Sequence, residues 1–315
     1  MVVLHGIERR TGIVRWTYNA AGDGGKPDFH GRALVTAGLI VIGSDDRRPE
    51  GIGYVYAFDR HSLSLRWKRR AATGVMTDVV GCGGTAYVVT LGDELLALDL
   101  DSGVVRWRFA SGASNPHYFP NSTPVIVGDR VIFGGFDGTV RALSTRSGSV
   151  LWQRDLGAWI STSVAAIGDD LHVGDSLGRI HKLDAAIGAS RAWLTIDGNM
   201  GFRLLPAGRS LLVFANEDGV TTLKSIASTL GAVNCTRSAP GPGWTFFGAP
   251  YVWKGWVVVG RGTGDFVALR LADGRPEWQG KVTGQVAGIG GDEASLYLGT
   301  TGGALYAYPL PACAR

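Results

Sequence analysis

Residues Leu95–Trp107 read LLALDLDSGVVRW, and nearly the same line recurs along the chain. The other copies, clearest first, are Tyr54–Trp67 (YVYAFDRHSLSLRW), Val140–Trp152 (VRALSTRSGSVLW), Phe266–Trp278 (FVALRLADGRPEW), weaker lines that end at Trp16 and Trp193, and Val220–Cys235, which carries a cysteine in place of the tryptophan. The closing positions are 51, 40, 45, 41, 42 and 43 residues apart. A period near 40 to 45 with β-type composition predicts the blades of a β-propeller.

One repeat shows how a blade is built. Asn121–Leu156 reads as four strands, A to D, rich in Val, Ile, Phe and Thr and separated by Gly-Asp, Asp-Gly and Ser-Gly turns. The same order of four strands separated by turns recurs in the other copies. The sequence therefore predicts an all-β fold, a seven-bladed β-propeller with four-stranded antiparallel blades, and eight blades are less favoured. Residues 1–315 form one domain in this interpretation.

The two ends of the chain have complementary patterns. Gln285–Tyr308 supplies strands A, B and C of a last blade, and Ile13–Tyr18 around Trp16 supplies a spare strand D. Pairing that N-terminal strand with the last blade (285–308) would close the ring without exposed edges. Val2–Glu8 resembles a strand C with nothing before it, so it is either an overhang or the sign of a reading frame that begins too late.

Composition limits the choice of partners. The formal net charge is +4 with a pI near 9.0, and many cations, such as Arg66, Arg106 and Arg108, flank the closing tryptophans. Charged side chains on an exposed last strand prevent edge-to-edge aggregation, so a nucleic-acid partner is not favoured. The chain contains no run of 18 apolar residues, no signal-peptide pattern and no C-x-x-C, so the compartment stays unknown from composition alone.

The recurring tryptophan has a structural interpretation. It stands eight residues after Asp59 and Asp99, and this fixed spacing suits a wide indole that docks across the next blade. The pattern A-L-D-x-x-S/T-G-x-x-x-W, which covers nearly the whole chain, resembles the tryptophan-docked repeat of the pyrroloquinoline-quinone-like (quinoprotein-type) propeller family. In style it is nearest to the non-catalytic lipoprotein propellers of outer-membrane assembly, and this resemblance implies a periplasmic or envelope location.

The same family includes quinoprotein dehydrogenases, which hold the quinone against a vicinal Cys-Cys bridge and beside a calcium ion. This chain has three cysteines and none are adjacent. Oxygen-rich candidates for calcium exist at Asp45-Asp46, Asp175 and Asn216-Glu217-Asp218, but Asp and Asn are common in turns. We therefore expect no cofactor, no metal and no catalytic residue. An oxidoreductase that uses pyrroloquinoline quinone with calcium is the alternative.

Loops of variable length indicate where a partner would bind, because function concentrates in such loops on a rigid frame. The D–A and B–C loops vary, whereas the C–D turns are uniform. The candidate partner-binding residues on that loop face are Asp45, Asp46, Arg47, Arg48, His117, Tyr118, Phe119, Trp244, Phe246 and Phe247. The aromatic members form either an exposed hot spot or plugs that pack over the channel mouth.

Three further residues, Trp159, Phe202 and Arg203, are predicted to line the channel mouth, where a small molecule would bind. The sequence as a whole favours a non-catalytic scaffold that binds another protein through its D–A/B–C loop face. The two alternatives are the quinone-dependent oxidoreductase and a propeller that senses a small ligand in its central channel.

Overall fold

Strands and tight turns make up the regular structure, and the described residues contain no α-helix. The computed structural model describes residues 3–20, 28–48, 50–113, 122–217, 220–238 and 250–309. The chain divides into two compact units, Met1–Asp169 with Asp184–Ala189, and Asp170–Leu183 with Ser190–Arg315. No helix among the described residues is long and apolar enough to cross a membrane.

The strands up to the third blade follow one pattern. A two-stranded N-terminal hairpin comes first, and each blade after it is an antiparallel sheet whose strands A to D lie in chain order. These strands are β1 (Val3–Ile7) and β2 (Val14–Asn19) in the hairpin; β3 (Leu34–Val35), β4 (Leu39–Ser44), β5 (Gly53–Asp59) and β6 (Leu65–Ala71) in blade 1; β7 (Val80–Cys82), β8 (Thr85–Val89), β9 (Glu94–Asp99) and β10 (Val105–Ala110) in blade 2; and β11 (Val125–Val127), β12 (Arg130–Gly134), β13 (Thr139–Ser144) and β14 (Val150–Asp155) in blade 3.

The remaining blades repeat the arrangement. Their strands are β15 (Ala165–Ile167), β16 (Asp170–Gly174), β17 (Arg179–Asp184) and β18 (Ser190–Thr195) in blade 4; β19 (Asn199–Ala207), β20 (Ser210–Glu217), β21 (Val220–Ala227) and β22 (Val233–Ser238) in blade 5; β23 (Tyr251–Trp253), β24 (Trp256–Gly260), β25 (Asp265–Arg270) and β26 (Pro276–Lys281) in blade 6; and β27 (Val286–Gly291), β28 (Ser295–Thr300) and β29 (Leu305–Pro309) in blade 7. The fold is the predicted all-β, seven-bladed propeller of four-stranded antiparallel sheets, with three strands of blade 7 among the described residues.

The N-terminal hairpin packs on blade 1. In the hairpin, β2 pairs with β1, and Gly6 lies opposite Trp16. The rings of Trp16 and Tyr18 contact Phe58 edge-on, with centroids 5.2 and 4.9 Å away. Val2–Glu8 thus contains the strand that its pattern predicted. Closure of the last blade by the strand at Trp16 stays a prediction.

The hydrophobic core consists of clusters shared by successive blades. Val41 and Val55 of blade 1 pack with Ala86 and Leu98 of blade 2, and all four are almost fully buried. These residues come from strands B and C, whose two faces are both covered, so their sequences read as nearly continuous apolar runs. The edge strands carry the exposed cations, as expected: Arg106 on β10, for example, is 2.6 Å from Asp99.

Three of the repeated tryptophans dock as predicted. In each, the indole Nε1–H donates a hydrogen bond of 2.8 to 3.2 Å to a backbone carbonyl in the C–D turn of the next blade. The three donor–acceptor pairs are Trp67 with Leu100, Trp107 with Thr145, and Trp152 with Ala185. An alanine always lies across the strand from the indole, at Ala57, Ala97 and Ala142. The small alanine leaves room for the ring.

The glycine of the repeat completes this docking site. Gly103, Gly148 and Gly188 have φ of +67°, +71° and +67°, and a Cβ on any of them would lie 2.4 to 2.6 Å from the indole above it. Glycine is required here both for the backbone conformation and for the close approach of the ring. Asp99 in turn orders the loop, because its carboxylate accepts hydrogen bonds from the backbone N–H groups of Asp101 and Ser102.

Trp193 departs from the expected docking and is 62% exposed. The dock position of this blade is held by Ala192, which pairs with Lys182 directly after the strand bulge, as Trp67 pairs with Ala57 in blade 1. Trp193 stands one residue further along, nine residues after Asp184 instead of eight, and pairs with His181. Because successive side chains of a strand point to opposite faces, this one-residue shift turns the indole away from the next blade.

Candidate functional site

The B–C loop of blade 1, between Ser44 and Gly53, directs two positive charges outward. Arg47 and Arg48 have side chains that are 64% and 70% exposed, whereas Asp45 and Asp46 are buried. The Asp45 carboxylate accepts a 2.7 Å hydrogen bond from the backbone N–H of Arg47. The guanidinium of Arg48 pairs with Asp46. The two carboxylates therefore hold the loop from within, and the two arginines form its surface.

A second chain segment braces this loop. Asp28 and Asp45 exchange two backbone hydrogen bonds of 2.7 and 3.0 Å. The Asp28 carboxylate pairs with the guanidinium of Arg47 and lies 3.1 Å from the Nε2 of His30. Burial alone would raise the pKa of Asp28, but hydrogen bonds from His30 and Arg47 outweigh it, so the pKa is lowered. The resulting ion-paired carboxylate stays charged near neutral pH.

Carboxylates stabilise the B–C turns of other blades as well. In blade 4, Asp175 is buried, accepts backbone hydrogen bonds from Leu177 and Arg179, and lies 2.8 Å from the Nε2 of His181. In blade 3 the guanidinium of Arg141 pairs with Asp137. The interpretation of Asp175 as a turn residue is confirmed. The buried partners Arg141 and His181 carried no sequence signal, because they face these turns only once the strands pair.

The described residues contain no group of three or more His, Cys, Asp or Glu side chains that could hold a metal ion. Cys82 and Cys235 are free thiols in different blades. Asn216 lies in β20, and Asp218 is outside the described residues.

The aromatic members of the predicted partner-binding set, His117, Tyr118, Phe119, Trp244, Phe246 and Phe247, lie outside the described residues. Of the channel-mouth set, Trp159 stacks on Phe136 of its own blade, with centroids 5.3 Å apart and planes at 15°. Phe202 and Arg203 lie in β19. The assignment of both sets to binding stays a prediction. Of the candidates that the structure describes, Asp45, Asp46, Arg47 and Arg48 lie together in one loop.

The blade architecture and the docked tryptophans define a propeller built from quinoprotein-type repeats, with no set of metal ligands in the described part. Comparison with known proteins specifies the family. A family model described as "Outer membrane protein assembly factor BamB" matches residues 2–226 and, in a second alignment, residues 136–283. The chain belongs to this family.

Individual relatives share moderate identity. The chain is 30% identical to BamB of Salmonella typhimurium over 197 residues, which is 58% of this chain and 47% of that protein. Identity to BamB of Escherichia coli is 28% over 200 residues, covering 59% of this chain and 47% of the relative. The aligned part thus spans about half the length of these relatives.

Solved structures support the fold. The crystal structure of BamB from Moraxella catarrhalis aligns with a TM-score of 0.77 at 18% identity, covering 98% of this chain and 91% of that one. The computationally designed Ika8 protein aligns with a TM-score of 0.74 at 16% identity, covering 95% of this chain and 88% of that one.

Proposed function

We propose that this chain is a non-catalytic scaffold that binds another protein in the bacterial envelope, through the D–A and B–C loops of its blades. The observation that carries the proposal is the blade 1 loop, in which buried Asp45 and Asp46 hold exposed Arg47 and Arg48. Arginine is enriched among residues that dominate binding energy, and a braced loop loses little entropy on binding. The curated relatives are named as outer membrane protein assembly factors, which supports an envelope role.

The test replaces the two exposed arginines and keeps the loop. In the variant Arg47→Gln/Arg48→Gln the guanidinium charges are removed while the carboxylates beneath remain. We expect at least a tenfold loss of the partner in cross-linking co-purification from the native cell, since truncating a hot-spot arginine weakens binding by about 2 kcal/mol or more. The melting temperature should fall moderately, because Asp28 and the buried Asp46 lose their ion-pair partners, so partner recovery is compared at a temperature at which the variant is fully folded.

A matched control uses arginines of similar exposure on the edge strands. Arg66 and Arg108 are 57% and 68% exposed, and each lies 3.7 to 3.8 Å from a carboxylate of its own blade. The variant Arg66→Gln/Arg108→Gln removes the same charge and should retain the partner. Equal partner recovery from both double variants would refute the loop as the binding surface.

The aromatic loop residues form the second part of the proposed surface. Changing Tyr118, Phe119, Trp244 and Phe247 together to Ser should abolish partner binding and barely move the melting temperature if they form a hot spot. A large fall in melting temperature would instead identify them as plugs. The quinone-dependent oxidoreductase and the small-ligand sensor stay as alternatives, and no contact among the described residues favours either one.

A further inference from the structure

The site where blade 5 meets the C–D turn of blade 6 has the backbone of a tryptophan dock without the tryptophan. Cys235 on β22 occupies the closing position, and it lies across the strand from Ser225, a small residue like the alanines of the docked copies. The turn ahead of it contains Gly274 with φ of +68°, within a degree of Gly103 and Gly188. The local sequence therefore has every element of the dock except the indole.

Hydrogen bonds in the turn fix the equivalence of the positions. The backbone N–H of Leu271 donates to the carbonyl of Gly255, as the N–H of Leu100 donates to Gly84 in blade 2. The N–H of Gly274 donates to the carbonyl of Arg270, which closes the same five-residue turn. The carbonyl of Leu271 is thus the counterpart of the three carbonyls that accept the indole N–H of Trp67, Trp107 and Trp152.

A cavity of about 140 Å³ lies at this position. Its wall contains Leu212 and Leu223 of blade 5, Val257 and Leu269 of blade 6, the turn Leu271–Gly274, and Cys235 itself. In blades 1 and 2 the residues at the matching positions, Val41, Val55, Ala86 and Leu98, belong to the core cluster against which Trp67 packs. The cavity therefore occupies the space that an indole fills elsewhere in the same chain.

The size and access of the cavity suit an aromatic guest. An engineered apolar cavity of about 150 Å³ in another protein binds benzene. Here the wall is mixed, with apolar side chains on the flanks and polar groups of Ser225, Asn234 and the turn at the rim. Asn234 and Val233 of β22 are exposed, and Cys235 is partly exposed, so a guest can enter from the edge of the blade.

We propose that this cavity is a binding site for an indole ring, which stacks over Gly274 and donates its N–H to the carbonyl of Leu271. We infer an indole as the guest because three equivalent sites in the same chain hold the indole rings of Trp67, Trp107 and Trp152. Both a free indole compound and a tryptophan side chain of another polypeptide carry this chemistry. The inference is independent of the scaffold role and of the blade 1 loop.

The experiment follows 5-fluoroindole and N-acetyl-5-fluorotryptophan amide by 19F NMR as the full-length protein is added. We expect both probes to bind the wild type and the variant Cys235→Ser, which keeps the cavity open. In Cys235→Trp the chain's own indole fills the cavity, so binding should fall at least tenfold and the melting temperature should rise. Trp193→Ala, which changes the exposed tryptophan of blade 4, should bind as the wild type does.

Each outcome decides the proposal. Binding of both probes supports the site and assigns it to a tryptophan side chain, since the amide mimics one, whereas binding of 5-fluoroindole alone supports the site and assigns it to a small molecule. If Cys235→Trp fails to fold, Ser225→Leu narrows the same cavity, because Ser225 is part of its wall, and should weaken binding equally. Absence of binding to the wild type, or binding that both filling variants leave unchanged, would overturn the proposal.

Discussion

Replacing Trp152 and Trp193 by alanine, one at a time, tests the docking role of the repeated indole. Both residues lie on strand D of their blades, but Trp152 holds the dock position and is 9% exposed, whereas Trp193 stands one residue past it and is 62% exposed. If a fully buried indole removes about 250 Å² from water, the two residues bury roughly 230 and 95 Å². At about 25 cal/mol per Å², and with a quarter removed for a compact unfolded state, these areas correspond to about 4 and about 2 kcal/mol.

We therefore expect Trp152→Ala to lower the free energy of unfolding by about 4 kcal/mol, within the usual range for removing a core aromatic. Trp193→Ala should lower it by at most about 2 kcal/mol. The assay is guanidinium unfolding followed by far-ultraviolet circular dichroism, because fluorescence would change with the mutation itself. Equal losses from the two variants would show that docking across the blades is not what the indole contributes.

Other predictions concern single positions. Gly148→Ala should destabilise the protein in thermal unfolding, because φ is +71° and the new Cβ would lie 2.6 Å from Trp107; an unchanged melting temperature would contradict the dock geometry. Burial raises the pKa of Glu94, so Glu94→Gln should stabilise the protein at pH 7, and that gain should vanish as the pH falls below about 4.5. The pKa of Asp28 is lowered, so Asp28→Asn should destabilise the protein at pH 7, and a loss that persists well below pH 3.8 would contradict the ion pair with His30 and Arg47. Backbone amides of blade 5 should exchange faster than those of blade 2, measured by hydrogen exchange, since an indole dock is missing on each side of blade 5.

The repeat alone was enough to predict the fold, because each blade repeats the same local order of strands and turns. The strands expected in Asn121–Leu156 appear as β11 to β14. Turn glycines and alternating strand segments are local signals, so they can be interpreted without knowledge of the tertiary contacts. The indole docks were predictable for the same reason, since the alanine, the turn glycine and the tryptophan stand at fixed spacing.

The candidate site was less predictable because it depends on contacts between distant segments. Asp45 and Asp46 read as a charged rim, yet both are buried, and the exposed charge belongs to Arg47 and Arg48. The cause is the backbone pairing of Asp28 with Asp45, which the sequence does not reveal because sixteen residues separate the two positions. Likewise, the sequence shows the cysteine at position 235 but does not show the cavity beside it. The cavity depends on the packing of blades 5 and 6, whose strands form its wall.

Trp193 and Cys235 show that the dock is a property of paired positions rather than of the tryptophan alone. At Trp193 the indole is present, but it stands one residue past the dock position, which Ala192 holds opposite Lys182, so the ring faces away from the next blade and stays exposed. At Cys235 the receiving residues Ser225 and Gly274 are retained, but the indole is absent, so a cavity results. Because burial of an aromatic ring stabilises a blade interface only when both halves are present, either change alone removes that stabilisation. Only the second leaves a space that a guest can fill, and for this reason the cavity at Cys235, rather than the exposed Trp193, carries the inference of a binding site.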